Sequence, residues 1–268
     1  MRKNWIGPTE ANGELVNRLA AEISVSPEVA RVLVSRGKSD PDTARAFLNP
    51  SLDQLASPFD FKGAREAVER LLVAIRERQK IIVFGDFDVD GVTGSSLALR
   101  TLRKLGADVE HLLPRRLVHG YGLSPKVLPD LLERRPELVL TVDCGIRSVD
   151  EVAELARAGV DTIITDHHEP APELPPAVAI VDPKQPGCPY RDKRLAGVGV
   201  MFQLLRGLVG RLEHEMDLCA DLDLVALGTV ADVVPLDGEN RVLVAEGMRV
   251  MNRREKPGIM ALATVCRI

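Results

Sequence analysis

The chain has 268 residues, of which 45% are hydrophobic and 28% are charged. This ordinary composition excludes intrinsic disorder and fibrous repeats, and no apolar stretch approaches the roughly 18 residues that a membrane-spanning helix requires. The 35 basic and 39 acidic side chains give a net charge of −4, which does not by itself indicate a nucleic-acid partner. The four cysteines are widely spaced and no signal-peptide core is present, so we predict a cytoplasmic protein with reduced thiols.

Residues 1–60 carry the signals of two short helices. Ser26 and Asp40 are each followed by proline, a combination that marks a capped helix N-terminus. After the turn-rich segment 49–58, apolar residues at helical spacing lead into the first predicted strand. We therefore predict a small helical head over residues 1–60 and a main domain over residues 61–268.

Strand-like and helix-like segments alternate between residues 80 and 183. The strand-like segments are apolar throughout, which is typical of strands that are covered on both faces. From residue 184 to residue 268 helical periodicity dominates. The predicted fold class is α/β, a parallel sheet with helices on both faces, preceded by the helical head and followed by a mainly helical segment. The predicted strands are 81–84, 109–113, 138–142, 162–165 and 178–181.

The strongest local motif follows the first predicted strand, where Asp86, Asp88 and Asp90 alternate before Gly91. An EF-hand calcium loop has a similar start, but its twelfth position would be Leu97 instead of glutamate, and a strand precedes it instead of a helix. A phosphate-binding loop is also excluded, because the turn lacks the required lysine and its carboxylates would repel a phosphate. The carboxylates instead predict a metal site, and oxygen ligands favour Mg²⁺ or Mn²⁺ over zinc.

Further acidic residues follow later strands. Asp143 ends the third predicted strand, and the triplet Asp166, His167 and His168 ends the fourth. Parallel strands bring their carboxyl ends to one edge of a sheet, so these segments should converge. The alternative interpretation is that each aspartate in these three acidic segments only caps the next helix or ends a strand. Asp232 lies in an apolar run where an uncompensated charge would be costly, and it is the candidate for the last ligand.

The two histidines are predicted to have different roles. Adjacent residues of an extended segment point to opposite sides, so His167 and His168 should not bind the same ion in the same way. We assign the imidazole of His167 to a cation, which shifts the preference toward Mn²⁺, and we assign His168 to the substrate.

Together these motifs resemble the DHH phosphoesterase superfamily, and within it the RecJ-type single-strand-specific 5′→3′ DNA exonucleases. The likeness includes segments 45–52, 120–123 and 195–200 and covers essentially the whole chain. The resemblance implies a two-metal centre in which Asp143 bridges the ions, Asp166 positions the histidines and His168 contacts phosphate. Asp86 stands near a position that is histidine in other branches, and it either binds a metal directly or orients a ligand. The implied metal ligands are Asp86, Asp88, Asp90, Asp143, His167 and Asp232.

The resemblance implies metal-dependent hydrolysis of single-stranded DNA in DNA repair and recombination. It also implies that each site holds two Mn²⁺ or Mg²⁺ ions as cofactors. Single-strand-binding protein and a helicase are partners that the resemblance implies. Arg115 and Arg116 are candidates to neutralise phosphates and Tyr121 or Phe87 to stack on bases. Further candidates for phosphate contacts are Lys184, Arg191, Lys193 and Arg194.

Two other functions remain open. One is a phosphodiesterase or phosphatase of the same superfamily that acts on short oligonucleotides, cyclic dinucleotides or pyrophosphate. The other is a replication-associated scaffold without activity, which the intact ligand set argues against. The family's smaller C-terminal domain has no counterpart here, so we expect the chain to be the catalytic core of a longer enzyme.

Overall fold

The computed structural model describes residues 12–212 and 216–268. The first eleven residues of the predicted head lie outside the described residues. The chain divides into two compact units, with the division between Gln54 and Leu55.

Among its described residues, the first unit contains three α-helices where the sequence predicted two. The predicted caps are present, since the side chain of Ser26 accepts a hydrogen bond from the N–H of the third residue of its helix and Asp40 does the same. The unpredicted first helix is capped by Asn12, whose side chain accepts from two backbone N–H groups. The helices are α1 (Gly13–Ile23), α2 (Pro27–Ser35) and α3 (Pro41–Leu48), which share a small apolar core.

The second unit is built on a five-stranded sheet in the order 2-1-3-4-5. All four strand pairs are parallel. The residues of the central strands are buried throughout, as expected for a sheet covered on both faces. The strands are β1 (Ile81–Gly85), β2 (Val109–Leu112), β3 (Leu138–Val142), β4 (Asp161–Thr165) and β5 (Ala179–Val181).

Helices cover both faces of this sheet, which confirms the predicted fold class. Alternate strand residues such as Ile82 and Val139 pack with Leu131 and Leu155 on one face. The helices before and after β1 and the first long helix after the sheet cover the other face. The helices of the second unit are α4 (Ala64–Arg76), α5 (Val89–Lys104), α6 (Arg116–His119), α7 (Leu128–Glu133), α8 (Val149–Arg157), α9 (Gly197–Leu212), α10 (Leu222–Ala231), α11 (Gly238–Met251) and α12 (Pro257–Cys266).

The strand order positions the site. After β1 the chain crosses to one edge of the sheet, and after β3 it crosses toward the other, so the connections diverge between these two strands. Open parallel sheets bind ligands at such a switch point, beyond the carboxyl ends of the strands. Within the described ranges, no helix combines the length and apolar character needed to cross a membrane.

Candidate active site

Four aspartates stand in a row along the carboxyl edge of the sheet. Asp86, Asp143, Asp166 and Asp182 directly follow β1, β3, β4 and β5. The backbone N–H groups of the first three donate to the last carbonyl of the neighbouring strand, at 3.2, 3.0 and 3.2 Å. This continuation of the sheet ladder brings the four residues side by side, and all four are buried.

The connection from β1 to α5 adds two more carboxylates. Asp88 is the N-cap of α5, and its side chain accepts a hydrogen bond from the N–H of Gly91 at 3.0 Å. Asp90 is buried and accepts from the N–H groups of Gly197 at 2.6 Å and Val198 at 2.8 Å. These amides begin α9, so a helix N-terminus stabilises negative charge on Asp90. Asp88 therefore caps a helix, as the alternative interpretation required, and still lies beside the other carboxylates.

Asp143 has an unusual backbone conformation. Its φ of 60° lies in the left-handed region, which costs a residue with a side chain about 1–2 kcal/mol. Gly197 packs against it so closely that an added Cβ would lie 2.7 Å from the Asp143 Cβ. Strain of this kind persists where the surrounding structure fixes a functional side chain. The close approach to Asp143 thus explains why residue 197 of segment 195–200 is glycine.

The imidazole of His167 lies among three carboxylates. Its Nε2 is 3.1 Å from Asp143 Oδ1, 3.7 Å from Asp232 Oδ2 and 3.9 Å from Asp90 Oδ2. The backbone N–H of His167 donates to Asp166 Oδ1 at 2.7 Å. Four segments that are distant in sequence therefore meet at this ring.

His168 has a different environment. Its Nδ1 donates to Asp166 Oδ1 at 2.7 Å, and its Nε2 lies 3.2 Å from the hydroxyl oxygen of Tyr121. The hydrogen bond with Asp166 raises the pKa of His168 to about 9. Burial alone would raise the pKa of Asp166, but the bond with His168 lowers it below its usual value. The pair is therefore a carboxylate and an imidazolium at neutral pH, and Asp166 lies where it can position both histidines.

The described residues contain three overlapping groups of possible metal ligands. Within each group the ligand atoms all lie within 4.8 Å of one another. The first consists of Asp86, Asp88 and Asp143, and the second of Asp90, His167 and Asp232. The third consists of Asp143, His167 and His168, so Asp143 and His167 link the first two groups.

Divalent cations fit these groups. Among the described residues, both carboxylate oxygens of Asp86, Oδ1 of Asp143 and Nε2 of His167 are buried without a hydrogen-bond partner. Burial, together with the nearby Asp90 and Asp88, raises the pKa of Asp143 to about 10. Burial also raises the pKa of Asp86. Unpaired buried polar atoms are costly, and carboxylates with one imidazole are a ligand set suited to Mg²⁺ or Mn²⁺.

Two arguments from the sequence are corrected. The side chain of Asp232 keeps 21% exposure and the adjacent Val233 is 84% exposed, so the run around Asp232 is not a buried one. Asp232 nevertheless lies near His167, because the end of α10 brings it there. The rings of His167 and His168 are only 4.5 Å apart. They do not point to opposite sides, because the strand has ended at Thr165.

The predicted substrate residues are partly brought together. The guanidinium of Arg116 lies 5.2 Å from the ring centre of Phe87, and the rings of Phe87 and Tyr121 are 6.0 Å apart. Tyr121 in turn reaches His168. These side chains form a continuous surface beside the ligand groups. Arg115, the residue before Arg116, is exposed, and its guanidinium has no hydrogen-bond or ion-pair partner within residues 12–212 and 216–268.

Sequence reasoning missed Asp182 and a cavity of about 620 Å³ beside the ligand groups, which Arg147 and Lys184 help to line. The sequence did contain a signal for Asp182, because this aspartate directly follows a strand-like segment, as Asp143 and Asp166 do. Burial raises the pKa of Asp182 to about 7. Of the four additional basic candidates only Lys184 lines this cavity. The others serve the structure: Lys193 donates to two backbone carbonyls, and Arg191 and Arg194 pair with carboxylates at the start of α11.

The fold and the site define a parallel α/β domain with a carboxylate and histidine centre at its strand edge. Residues 80–229 match the DHH family, N-terminal domain. The chain belongs to the DHH family, as the sequence resemblance predicted.

Similar proteins carry the RecJ name. The chain is 44% identical over 247 residues to the single-stranded-DNA-specific exonuclease RecJ of Bacillus subtilis (strain 168). The aligned region covers 92% of this chain and 31% of the relative. It is 40% identical over 246 residues to the same-named protein of Thermus thermophilus, covering 91% of this chain and 34% of the relative. The chain spans about a third of the length of these relatives.

The solved structures with a similar fold include two RecJ proteins that contain manganese. A crystal structure of exonuclease RecJ bound to manganese matches with a TM-score of 0.72 and 40% identity, covering 80% of this chain and 54% of that one. The RecJ complex with Mn²⁺ from Thermus thermophilus matches with a TM-score of 0.79 and 37% identity, covering 94% of this chain and 35% of that one.

Proposed function

We propose that this chain is the catalytic core of a metal-dependent exonuclease that degrades single-stranded DNA from the 5′ end and releases mononucleotides. The observation that carries the proposal is that two groups of metal ligands are linked by Asp143 and His167, whose Oδ1 and Nε2 atoms are 3.1 Å apart. Two cations a few ångströms apart are the usual means of cleaving phosphodiesters. The similarity to relatives named as single-stranded-DNA-specific exonucleases supports DNA as the substrate.

The proposed cofactors are two Mn²⁺ or Mg²⁺ ions. Related RecJ structures contain manganese or magnesium, and the unpaired ligand atoms of this chain suit the same ions. When bound, such ions neutralise charge on the phosphate and lower the pKa of water. The proposed ligands are Asp86, Asp88 and Asp143 for one ion, and Asp90, His167 and Asp232 for the other, with Asp143 shared.

The remaining residues of the site would act on the substrate. His168 is held as imidazolium by the bond between its Nδ1 and Asp166. Its Nε2 faces the Tyr121 hydroxyl at 3.2 Å, and a phosphate oxygen that takes the place of this hydroxyl would accept the Nε2 hydrogen bond as negative charge builds in the transition state. Asp143, His167 and His168 are therefore the proposed catalytic residues.

The DNA strand would follow the basic and aromatic surface beside the site. Arg115 and Arg116 are suited to neutralise backbone phosphates, and the exposed ring of Tyr121 is suited to stack on a base. A role in DNA repair and recombination, a cytoplasmic location, and association with single-strand-binding protein and a helicase belong to the same proposal.

The test is degradation of long single-stranded DNA that carries a label at either end, in the presence of Mn²⁺. Asp143→Asn is the inactive variant, and a blunt duplex and a dinucleotide are the alternative substrates. We expect mononucleotides from the 5′ end of the single strand only, and none from the variant. Cleavage restricted to the dinucleotide would favour the phosphodiesterase alternative. No cleavage of any substrate by a sample that binds Mn²⁺ would refute the proposal for this chain alone.

A further inference from the structure

The cavity beside the ligand groups has the size of a small-molecule site. Its volume of about 620 Å³ lies within the range of roughly 300–1,000 Å³ that is typical of ligand pockets. Asp166, His167 and His168 form part of its wall, so a molecule inside it reaches the catalytic centre. Its buried apolar lining includes Cys144 and Ile146. The proposed mechanism does not use this space.

Arg147 gives the cavity a fixed planar group. Its Nε donates to the backbone carbonyl of Glu169 at 2.7 Å, which orients the guanidinium. Its two terminal nitrogens have no hydrogen-bond or ion-pair partner among the described residues. Tyr121, whose ring is largely exposed, also lines the cavity. An oriented guanidinium and an aromatic ring are the groups that proteins use to stack on nucleobases and to bind their edges.

The charges that line the cavity are balanced. Arg147 and Lys184 are positive, whereas Glu151 and Glu169 are negative, and Lys184 lies 3.4 Å from a carboxylate oxygen of Glu169. A second phosphate would meet two carboxylates here. A neutral sugar and base would meet hydrogen-bonding groups of both kinds without net repulsion, so the lining favours a nucleoside over an anion.

We propose that this cavity binds the sugar and base of the nucleotide whose phosphate lies at the ligand groups, and that Arg147 contacts the base. The inference rests on the proposed function and deepens it by naming the side chain that recognises the nucleotide next to the reacting phosphate. Arg147 precedes α8 and is exposed, so its replacement should leave the fold intact.

The experiment compares calorimetric binding of dAMP and of inorganic phosphate to the full 268-residue chain in excess MgCl₂. Wild type should bind dAMP about tenfold or more tightly than phosphate, because contacts to the base add to those of the phosphate. Arg147→Ala should reduce the affinity for dAMP about tenfold and leave phosphate binding unchanged. Arg147→Lys should resemble Arg147→Ala, since lysine keeps the charge but lacks the planar fork. Arg157→Ala, on an exposed residue of the helix that follows, is the matched control and should bind like wild type.

Three results would overturn the inference. The first is dAMP binding no tighter than phosphate in wild type, which includes the absence of binding by either. The second is an unchanged dAMP affinity in Arg147→Ala. The third is an equal loss of dAMP and phosphate binding in that variant, which would assign the cavity to an anion. Hydrolysis of single-stranded DNA is measured separately, so failure of this inference is distinguishable from failure of the proposed function.

Discussion

Replacing Asp143 by asparagine should make the metal-free protein more stable and remove its response to manganese. Asparagine has almost the same shape as aspartate and tolerates the left-handed backbone found at this position. The substitution therefore replaces a carboxyl whose pKa of about 10 keeps it protonated in the folded, metal-free protein, and it does so without a new steric conflict. It also removes the carboxylate that two of the ligand groups share.

The magnitude follows from the geometry. The ligand atoms of Asp86, Asp88 and Asp143 lie within 4.8 Å of one another. At that separation two unit negative charges repel by about 3.5 kcal/mol in an effective dielectric of about 20. The folded protein avoids this repulsion by keeping Asp143 protonated, which costs free energy at neutral pH because the same carboxyl is ionised in the unfolded chain. Asparagine avoids that cost, so we expect a gain of about 1–2 kcal/mol in the free energy of unfolding. For wild type, Mn²⁺ at a hundred times its dissociation constant should raise the free energy of unfolding by about 2.7 kcal/mol, whereas the variant should not respond.

The assay is urea denaturation of both proteins in EDTA and in MnCl₂. Asp108→Asn is the control, because Asp108 is exposed and precedes β2, and it should behave as wild type in both conditions. An Asp143→Asn variant that is less stable than wild type in EDTA would refute the reasoning from repulsion. A variant that gains as much from Mn²⁺ as wild type would show that Asp143 is not a ligand.

Three further predictions test other parts of the molecule. The imidazole of His168, whose pKa is raised to about 9 by its hydrogen bond to a buried carboxylate, should titrate near that pH by NMR in metal-free protein, and a midpoint near 6.5 would contradict the assignment. Gly197→Ala should weaken Mn²⁺ binding about tenfold or more by calorimetry, because its Cβ would lie 2.7 Å from the Cβ of Asp143. Gly210→Ala in the same helix has open space around it, so it should leave binding unchanged and stabilise the protein by about 0.5–1 kcal/mol. Burial would raise the pKa of Asp221, but the hydrogen bonds from basic side chains lower that pKa overall. The carboxylate therefore stabilises the fold above the pKa that Asp221 has in the unfolded chain. This stabilisation is lost as the pH falls through the lower pKa of the folded protein. Asp221→Asn should therefore destabilise the protein by about 2 kcal/mol at neutral pH, and the same deficit in strong acid would contradict this.

The sequence by itself determined the elements and the acidic character of their ends. The predicted strand 138–142 coincides with β3, and β1 and β4 each extend one residue beyond the predicted bounds. Such apolar runs are local signals, because a strand buried on both faces must be apolar along its whole length. The aspartates after these strands could be placed at one edge, because a parallel sheet brings its carboxyl ends together.

Only the tertiary structure decided how these residues meet. The four aspartates that follow the strands, Asp182 among them, lie side by side because strand pairing brings together segments that are far apart in sequence. The hydrogen bonds from α9 to Asp90 and the approach of Asp232 to His167 depend on how distant helices pack against the sheet. The position of Arg147 at a cavity follows from the folding of several loops around one space. A local pattern contains no information on these distances, because packing between remote segments fixes them.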